Sequence, residues 1–523
     1  MISLPESLRR AAPVLLVVMI ALALRWPHID QRLFTSDGAD YARAAKASPW
    51  ELYRGAREAS LPQLIALKRD PQAGAHPWDF LYSQSDGHAL RHFHVPASFY
   101  IASAVNALSG EDRAQRLASS LAGATVGAVV TGGLLCLGTP WLASLLAGVL
   151  VVTEPRFIEM TTDVSPHPWY ILFALSCLML SAFALRTGSR GARVAAWVAL
   201  ALSIATLEFA PLLIAAFLLA AVASRVAKLP DADKFVPRPL LAWSARRLVF
   251  LAAMLFAIWP AGLLKGGYVV SYGFNNLVIP LLRSSSYFGP TGVAIILGNF
   301  FANHEAFVLL CAAAALAATI GLRQRRMPAD SLLFGCYSLA AFLFGSGGRF
   351  VYPAYAVQVT AFLVPFAALL WRDVAQSAPA ARRWLPHAAL AIFVFACGQS
   401  TWLALRNPPK SDPLAPVVAD LPGYVPASEV VLVNDFNDGA TYYLYLPQRR
   451  FELTVTPSTL APRRSELEPS IRYALINTGM LEPESLRRLA TEFESLRAYP
   501  RPQSGAQTLL LRKRVPPRRA PVS

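Results

Sequence analysis

"RLFTSDGADYARAAK", residues 32–46, follows the first apolar block of the chain and carries two carboxylates, Asp37 and Asp40. Acids placed where a membrane helix has just ended stand out in this chain. Of its 523 residues 55% are hydrophobic and 15% are charged, and the formal net charge is +16. An average soluble domain is about 25% charged. Mean hydropathy is +0.41. The apolar residues come in blocks rather than amphipathic stripes, on the scale of the roughly 20 residues that a bilayer-spanning helix needs. The pattern is that of an α-helical polytopic membrane protein.

About eleven spans are expected, near 11–25, 116–138, 139–153, 168–186, 194–207, 209–224, 248–264, 304–322, 329–345, 351–371 and 385–405. Arg9 and Arg10 precede the first block and no clear small-residue cleavage site follows it, so it reads as an anchor and not a cleavable signal. The five cysteines, Cys136, Cys177, Cys311, Cys336 and Cys397, all fall in apolar blocks. They read as small buried hydrophobes, with neither a disulfide framework nor a cysteine metal site.

The stretch "VPASFYIASAVNAL" at 95–108 decides the topology, because a crossing there moves every later loop to the other side. Charge settles it. With 95–108 on the membrane surface and the N-terminus inside, the short inner segments carry seventeen Lys and Arg, in 9–10, 186–193, 225–247, 323–326 and 372–383. The short outer loops carry four, Arg156, Lys265, Arg283 and Arg349. Cytoplasmic loops are the basic ones, and fourteen residues suit an interfacial helix better than a span. The net positive charge is therefore mostly topology. The basic residues are dispersed between spans, so no nucleic-acid partner is expected.

The outer face then holds a long first loop, 26–115, a short loop, 154–167, a middle loop, 265–303, and the tail, 407–523. The tail opens with "RNPPKSDP" and shows strand-like runs in "EVVLV", "RYALIN" and "TLLLRKRV", with helical spacing in "PESLRRLATEFESL" (483–496). It reads as a small soluble α/β domain following a membrane domain over 1–406.

Asp37 falls near the N-cap of a helix beginning in "DGADYARAAK", with Asp40 one turn along. One reading is a capped surface helix with a solvated second acid. The other is acid–base chemistry at the membrane edge, where Glu154, Glu159 and Asp163 also lie. On the same face sit Lys265, Arg283, His304 and Arg349. Arginine suits forked contacts with phosphate, and a cation at a bilayer edge also snorkels to lipid headgroups.

Taken in order, these segments resemble the GT-C superfamily of integral-membrane glycosyltransferases, in its protein O-mannosyltransferase and aminoarabinose-transferase branch. "SDGADYARAAK" matches the family's acidic opening of the first outer loop, with Asp37 on the key acid, Gly38 in place of the usual Glu, and Tyr41 in step. "HVPASFYIASAVNALSG" resembles the "HPPLYY" juxtamembrane helix, carrying His94 and Pro96, with Val95 breaking the double Pro. Arg116 matches an Arg that opens the second span, Asp163 in "MTTDVSPHPWYILFAL" a second acidic loop, and Arg349 in "GGRFVYPAY" the Arg of a "RYxxPxxP" signature. Glu208 stands in an outer turn where many relatives carry Lys.

The resemblance implies a GT-C fold with juxtamembrane helices in the first outer loop. It implies transfer of a sugar from a polyprenyl-phosphate carrier to a glycan, lipid or protein acceptor on the outer face of the cell membrane, by inverting displacement. Asp37 would be the general base, Asp40, Asp163 and Glu154 supporting acids, and Arg283, Arg349, Lys265 and His304 the donor-phosphate contacts. Relatives differ in needing a divalent metal; with Gly38 removing one acid of the pair, no cofactor is expected to be required. Two rivals stand beside it. A transporter or flippase would want polar groups at midbilayer, and few spans carry a central charge. A non-catalytic membrane assembly protein is the other.

Overall fold

The computed structural model describes residues 6–29, 33–34, 36–54, 97–207, 209–235, 240–260, 305–346, 353–377, 384–406, 412–453, 471–481, 483–501 and 504–514. They fall into two compact units. The first draws on Met1–Ile29, Ala47–Leu64 and His92–Pro408; the second joins Pro409–Ser523 to Asp30–Lys46.

The first unit is helical. In chain order its helices are α1 (Glu6–Arg25), α3 (Pro49–Arg54), α4 (Ala97–Ser109), α5 (Asp112–Cys136), α6 (Trp141–Thr153), α7 (Pro155–Thr161), α8 (His167–Thr187), α9 (Arg190–Ile204), α10 (Ala210–Val226), α11 (Leu240–Ile258), α12 (Glu305–Arg323), α13 (Ala329–Ser346), α14 (Pro353–Ser377) and α15 (Trp384–Arg406); α2 (Ser36–Ala44) belongs to the other unit. Every one of the eleven apolar blocks contains a helix. Among the described residues six are long and apolar enough to cross a membrane, or seven if α6 and α7, bent by 63° at Glu154, count as one span. Ala210–Val226, Arg247–Ile258 and Ala329–Leu343 are apolar but shorter. The eleven-span reading thus exceeds what helix length alone supports. The 13-residue α4, at about 1.5 Å per residue, is about 20 Å long and falls short of the roughly 30 Å hydrocarbon core.

Local chemistry sets these boundaries. α8 ends because Gly188 adopts φ +72°, and its N–H returns to the Ala184 carbonyl at 2.9 Å. Ser189 then caps α9, its hydroxyl accepting from Ala192 N. Helices α1, α5 and α6 pack closely through small residues. A Cβ on Gly127 of α5 would lie 2.5 Å from a Val152 methyl and 2.7 Å from a Val17 methyl. With lipid on the outside, such close approach supplies the dispersion contacts that hold membrane helices together. Tyr170 of α8 donates to the Phe209 carbonyl at 2.9 Å and meets the Tyr337 hydroxyl of α13 at 2.8 Å. At the other ends of the helices Arg372 of α14 forks onto Asp330 of α13, and both Arg372 and Arg186 donate to the Leu137 carbonyl that closes α5.

The second unit is α/β. Its elements are α2 (Ser36–Ala44), α16 (Ala415–Tyr424), β1 (Val430–Val433), α17 (Phe436–Tyr445), β2 (Arg450–Leu453), β3 (Tyr473–Asn477), α18 (Pro483–Glu492), β4 (Phe493–Arg501) and β5 (Ala506–Lys513). The sheet order is β2-β1-β3-β5-β4, with β1, β2 and β3 parallel and β5 antiparallel to both its neighbours. Side chains alternate across it. Val431, Val433, Leu475 and Leu510 join α16 and α17 in one core, and Leu432, Ala474, Ile476 and Leu511 join Leu489 of α18 in the other.

The three expected strands are present as β1, β3 and β5. The expected helix over 483–496 is corrected: it stops at Glu492, and Phe493–Arg501 pairs with β5 as an antiparallel strand with a bulge between Ser495 and Arg497. The run after 492 buries Phe493 and Tyr499 while exposing most positions between, and cross-strand pairing outweighs the local helical spacing. α16, α17 and β2 were not legible in the sequence. All five cysteines are free; Cys177, Cys336 and Cys397 are buried, Cys311 is partly buried, and Cys136, at the end of α5, is exposed instead of buried as expected.

Candidate active site

The acid-bearing stretch forms helix α2, with Asp37 and Asp40 in its first five residues and a half-buried Tyr41 between the buried Ala39 and Ala42. The side chains of Asp37 and Asp40 lie outside the described residues. The strand of chain entering α2 is held by the tail. Leu33 N–H donates to Asp412 Oδ2 at 2.6 Å, Phe34 N–H donates to the Tyr445 hydroxyl at 2.9 Å, and Thr441 Oγ1 donates to the Phe34 carbonyl at 3.1 Å. On the far end, the Arg43 guanidinium lies 5.5 Å from the Tyr443 ring centroid, and Lys46 Nζ donates to the Leu444 carbonyl at 3.3 Å. Thr441, Tyr443, Leu444 and Tyr445 all lie on α17, the helix that follows strand β1.

At the carboxyl ends of β1 and β3 a buried polar network closes the same unit. Asn434 and Asn477 exchange two hydrogen bonds, at 3.0 and 2.7 Å, and Asn477 Nδ2 donates to Asp435 Oδ2 at 2.7 Å. Arg501, at the end of β4, pairs with Asp438, approaches Asp435 at 3.9 Å and donates to Thr508 Oγ1 at 2.8 Å. Burial and the neighbouring Asp435 charge raise the Asp438 carboxyl to about 7, against the opposing pull of Arg501. The signal in the sequence was the acidic turn "NDFNDG" directly after a strand-like run, and the sequence reading passed over it.

The other acids lie in the first unit, on either side of α7. Glu154 is buried and acts as the N-cap of α7, its carboxylate accepting from Phe157 N–H at 2.6 Å. Asp163 is half-buried, with Oδ1 accepting from Val164 N–H at 2.8 Å. Above this turn Arg25 ends α1 fully buried. Its Nε donates to Thr161 Oγ1 at 2.7 Å and one terminal nitrogen donates to the Ala21 and Val152 carbonyls at 3.0 and 3.1 Å. Arg25 was not singled out in the sequence, where it looked like the ordinary end of a span. Arg116 is buried in the first turns of α5. Among the described residues no group of three or more His, Cys, Asp or Glu is placed to hold a metal ion. His94, Glu208, Lys265, Arg283, His304 and Arg349 lie outside the described residues.

No protein-family model matches the chain, and no curated protein sequence matches it. Solved structures do. ArnT from Cupriavidus metallidurans bound to undecaprenyl phosphate aligns over 95% of this chain and 97% of its own, with a TM-score of 0.56 at 14% identity. The apo state of ArnT aligns over the same shares with a TM-score of 0.56 at 13% identity. The arabinofuranosyltransferase AftD from Mycobacteria covers 98% of this chain and 40% of its own, with a TM-score of 0.46 at 13% identity.

Helix bundle and terminal α/β unit together define a multi-pass membrane protein. Its fold is that of ArnT.

Proposed function

We propose that the protein is a glycosyltransferase that takes a sugar from a polyprenyl-phosphate carrier and passes it to an acceptor on the outer face of the cell membrane. One observation carries the reading: the likeness to ArnT runs over 95% of this chain and 97% of that one, and ArnT was solved with undecaprenyl phosphate bound. A lipid-linked donor has to be met where spans end, and the acid-bearing segment begins just past α1.

The chemistry assigns roles by need. An acceptor hydroxyl is a weak nucleophile, and a carboxylate that takes its proton as it attacks the anomeric carbon makes the displacement feasible. Asp37 takes that role, with Asp40 and Asp163 supporting. The C–O bond to the carrier breaks as the new glycosidic bond forms, the anomeric centre inverts, and the charge that collects on the leaving phosphate needs cations set in advance. Arg283 and Arg349, with Lys265 and His304, are the cations proposed for it. Glu154 is kept in the proposal only as a structural support, since its carboxylate caps α7.

The test is direct. Purified full-length protein in nanodiscs is titrated with undecaprenyl phosphate, then supplied with an undecaprenyl-phosphate-linked sugar and a membrane extract as acceptor source. Saturable binding and release of free undecaprenyl phosphate are expected. Carrier movement across a sealed vesicle without cleavage of the sugar linkage would favour a transporter instead.

A further inference from the structure

We propose that the tail acts in transfer by holding the acid-bearing helix, with Asp412, Thr441 and Tyr445 as positioning residues. The inference rests on the glycosyltransferase reading and adds to it a role for the tail.

A nine-residue helix is marginal by itself in water, because nucleation is unfavourable and few bonds follow it. α2 must take its order from what it packs on, and it packs on α17. Its buried Ala39 and Ala42, with Ala45 just beyond, are small enough to let two helices close. Three hydrogen bonds then fix the two residues that lead into the helix, Leu33 and Phe34, and they come from positions 379 to 411 residues away in the chain. The partners of these two residues have their own place in the tail. Asp412 Oδ1 accepts from Leu414 and Ala415 N–H at 2.9 and 3.1 Å, so this carboxylate also caps α16. Thr441 and Tyr445 stand one turn apart on α17, and Thr441 is fully buried. Arg43 over Tyr443 and Lys46 on the Leu444 carbonyl pin the other end. Covering the segment already calls for these backbone groups to be paired; what the pairing adds here is a fixed entry into the helix that carries the proposed base, where a displacement of about 1 Å at the reacting atoms is enough to lose on the order of 10²-fold in rate.

The experiment compares wild type, Thr441→Ser, Thr441→Val and the Thr441→Val/Tyr445→Phe double variant, all full-length in nanodiscs. Donor turnover is read with an undecaprenyl-phosphate-linked sugar and membrane extract, affinity with undecaprenyl phosphate alone, and local order by amide hydrogen exchange over residues 33–46. The expected result for the double variant is at least tenfold faster exchange in 33–46, kcat lower by about 10²-fold, and affinity for undecaprenyl phosphate within about twofold. Thr441→Ser keeps the hydroxyl and should keep wild-type kcat, and Thr441→Val should fall between. Unchanged exchange, or faster exchange with unchanged kcat, overturns the positioning role. A wild-type chain that neither binds the carrier nor cleaves the donor overturns the glycosyltransferase reading, and the exchange arm then still reads whether the tail holds the segment.

Discussion

Arg372 of α14 and Asp330 of α13 form a two-pronged ion pair, at 2.7 and 3.1 Å, with both side chains buried. Asp373 pairs with the same guanidinium at 2.6 Å, Ser331 donates to Asp373 at 2.6 Å, and the Leu137 carbonyl at the end of α5 accepts from Arg372 at 2.9 Å. Three helices are tied at one end by a single side chain. In the sequence Arg372 counted only as one of the inner basic residues that orient the chain.

Removing it should therefore be severe. Arg372→Ala leaves Asp330 buried without its partner, and breaking a buried pair from one side costs about 3–5 kcal/mol. Asp330→Asn should cost less, because Arg372 keeps Asp373 and the Leu137 carbonyl. The order is read from the temperature at which each variant loses its monodisperse peak in detergent. Equal and small shifts for both would mean that the cluster adds nothing to stability.

The α/β unit should lose stability as pH rises through the acid range. Asp438 titrates near 7 in the fold against about 4 when unfolded, so between those values the folded state binds more protons than the unfolded one. Stability then falls with rising pH, by at most about 1.4 kcal/mol per pH unit from this group, and levels off above 7. Asp438→Asn, which cannot ionise, should flatten that part of the profile. Thermal melts of both proteins between pH 4.5 and 8 give the difference; identical slopes would remove Asp438 as its source.

Asp37→Asn separates a base from a simple helix-start acid. Asn serves helix starts about as well as Asp, so the variant should fold and bind undecaprenyl phosphate. If Asp37 takes the acceptor proton, transfer should drop by about 10²–10⁴-fold, and Asp40→Asn should do less harm. Near-normal transfer by well-folded Asp37→Asn would move the search to Asp163.

Arg283→Ala and Arg349→Ala should each weaken donor use about tenfold or more, the scale of one charge-assisted contact of about 1.5–3 kcal/mol. Apparent affinity for undecaprenyl phosphate measures it. Unchanged affinity in both would return these arginines to snorkelling at the bilayer edge.

Hydrophobic blocks and the strand-like runs of the tail are local quantities, and they were sufficient for the class: a multi-pass helical protein with an α/β tail. The motif order pointed to a fold of the kind that ArnT has. The strands β1, β3 and β5 were legible for the same reason, since a run of four or five apolar residues in a polar tail has few other uses. What lay beyond reach was everything decided by partners far off in the chain. Phe493–Arg501 becomes a strand because β5 lies beside it. Glu154, legible as one more acid in an outer loop, spends its carboxylate on the cap of α7, and Arg25 leaves the end of a span to bind Thr161. Most of all, the stretch at 32–46 announced its acids and its helix, while only the folded chain joined it to α17 through bonds that span about four hundred residues. Periodicity and charge are written along the chain; a backbone N–H and the distant hydroxyl that accepts it are matched only by the packing that brings them within 3 Å.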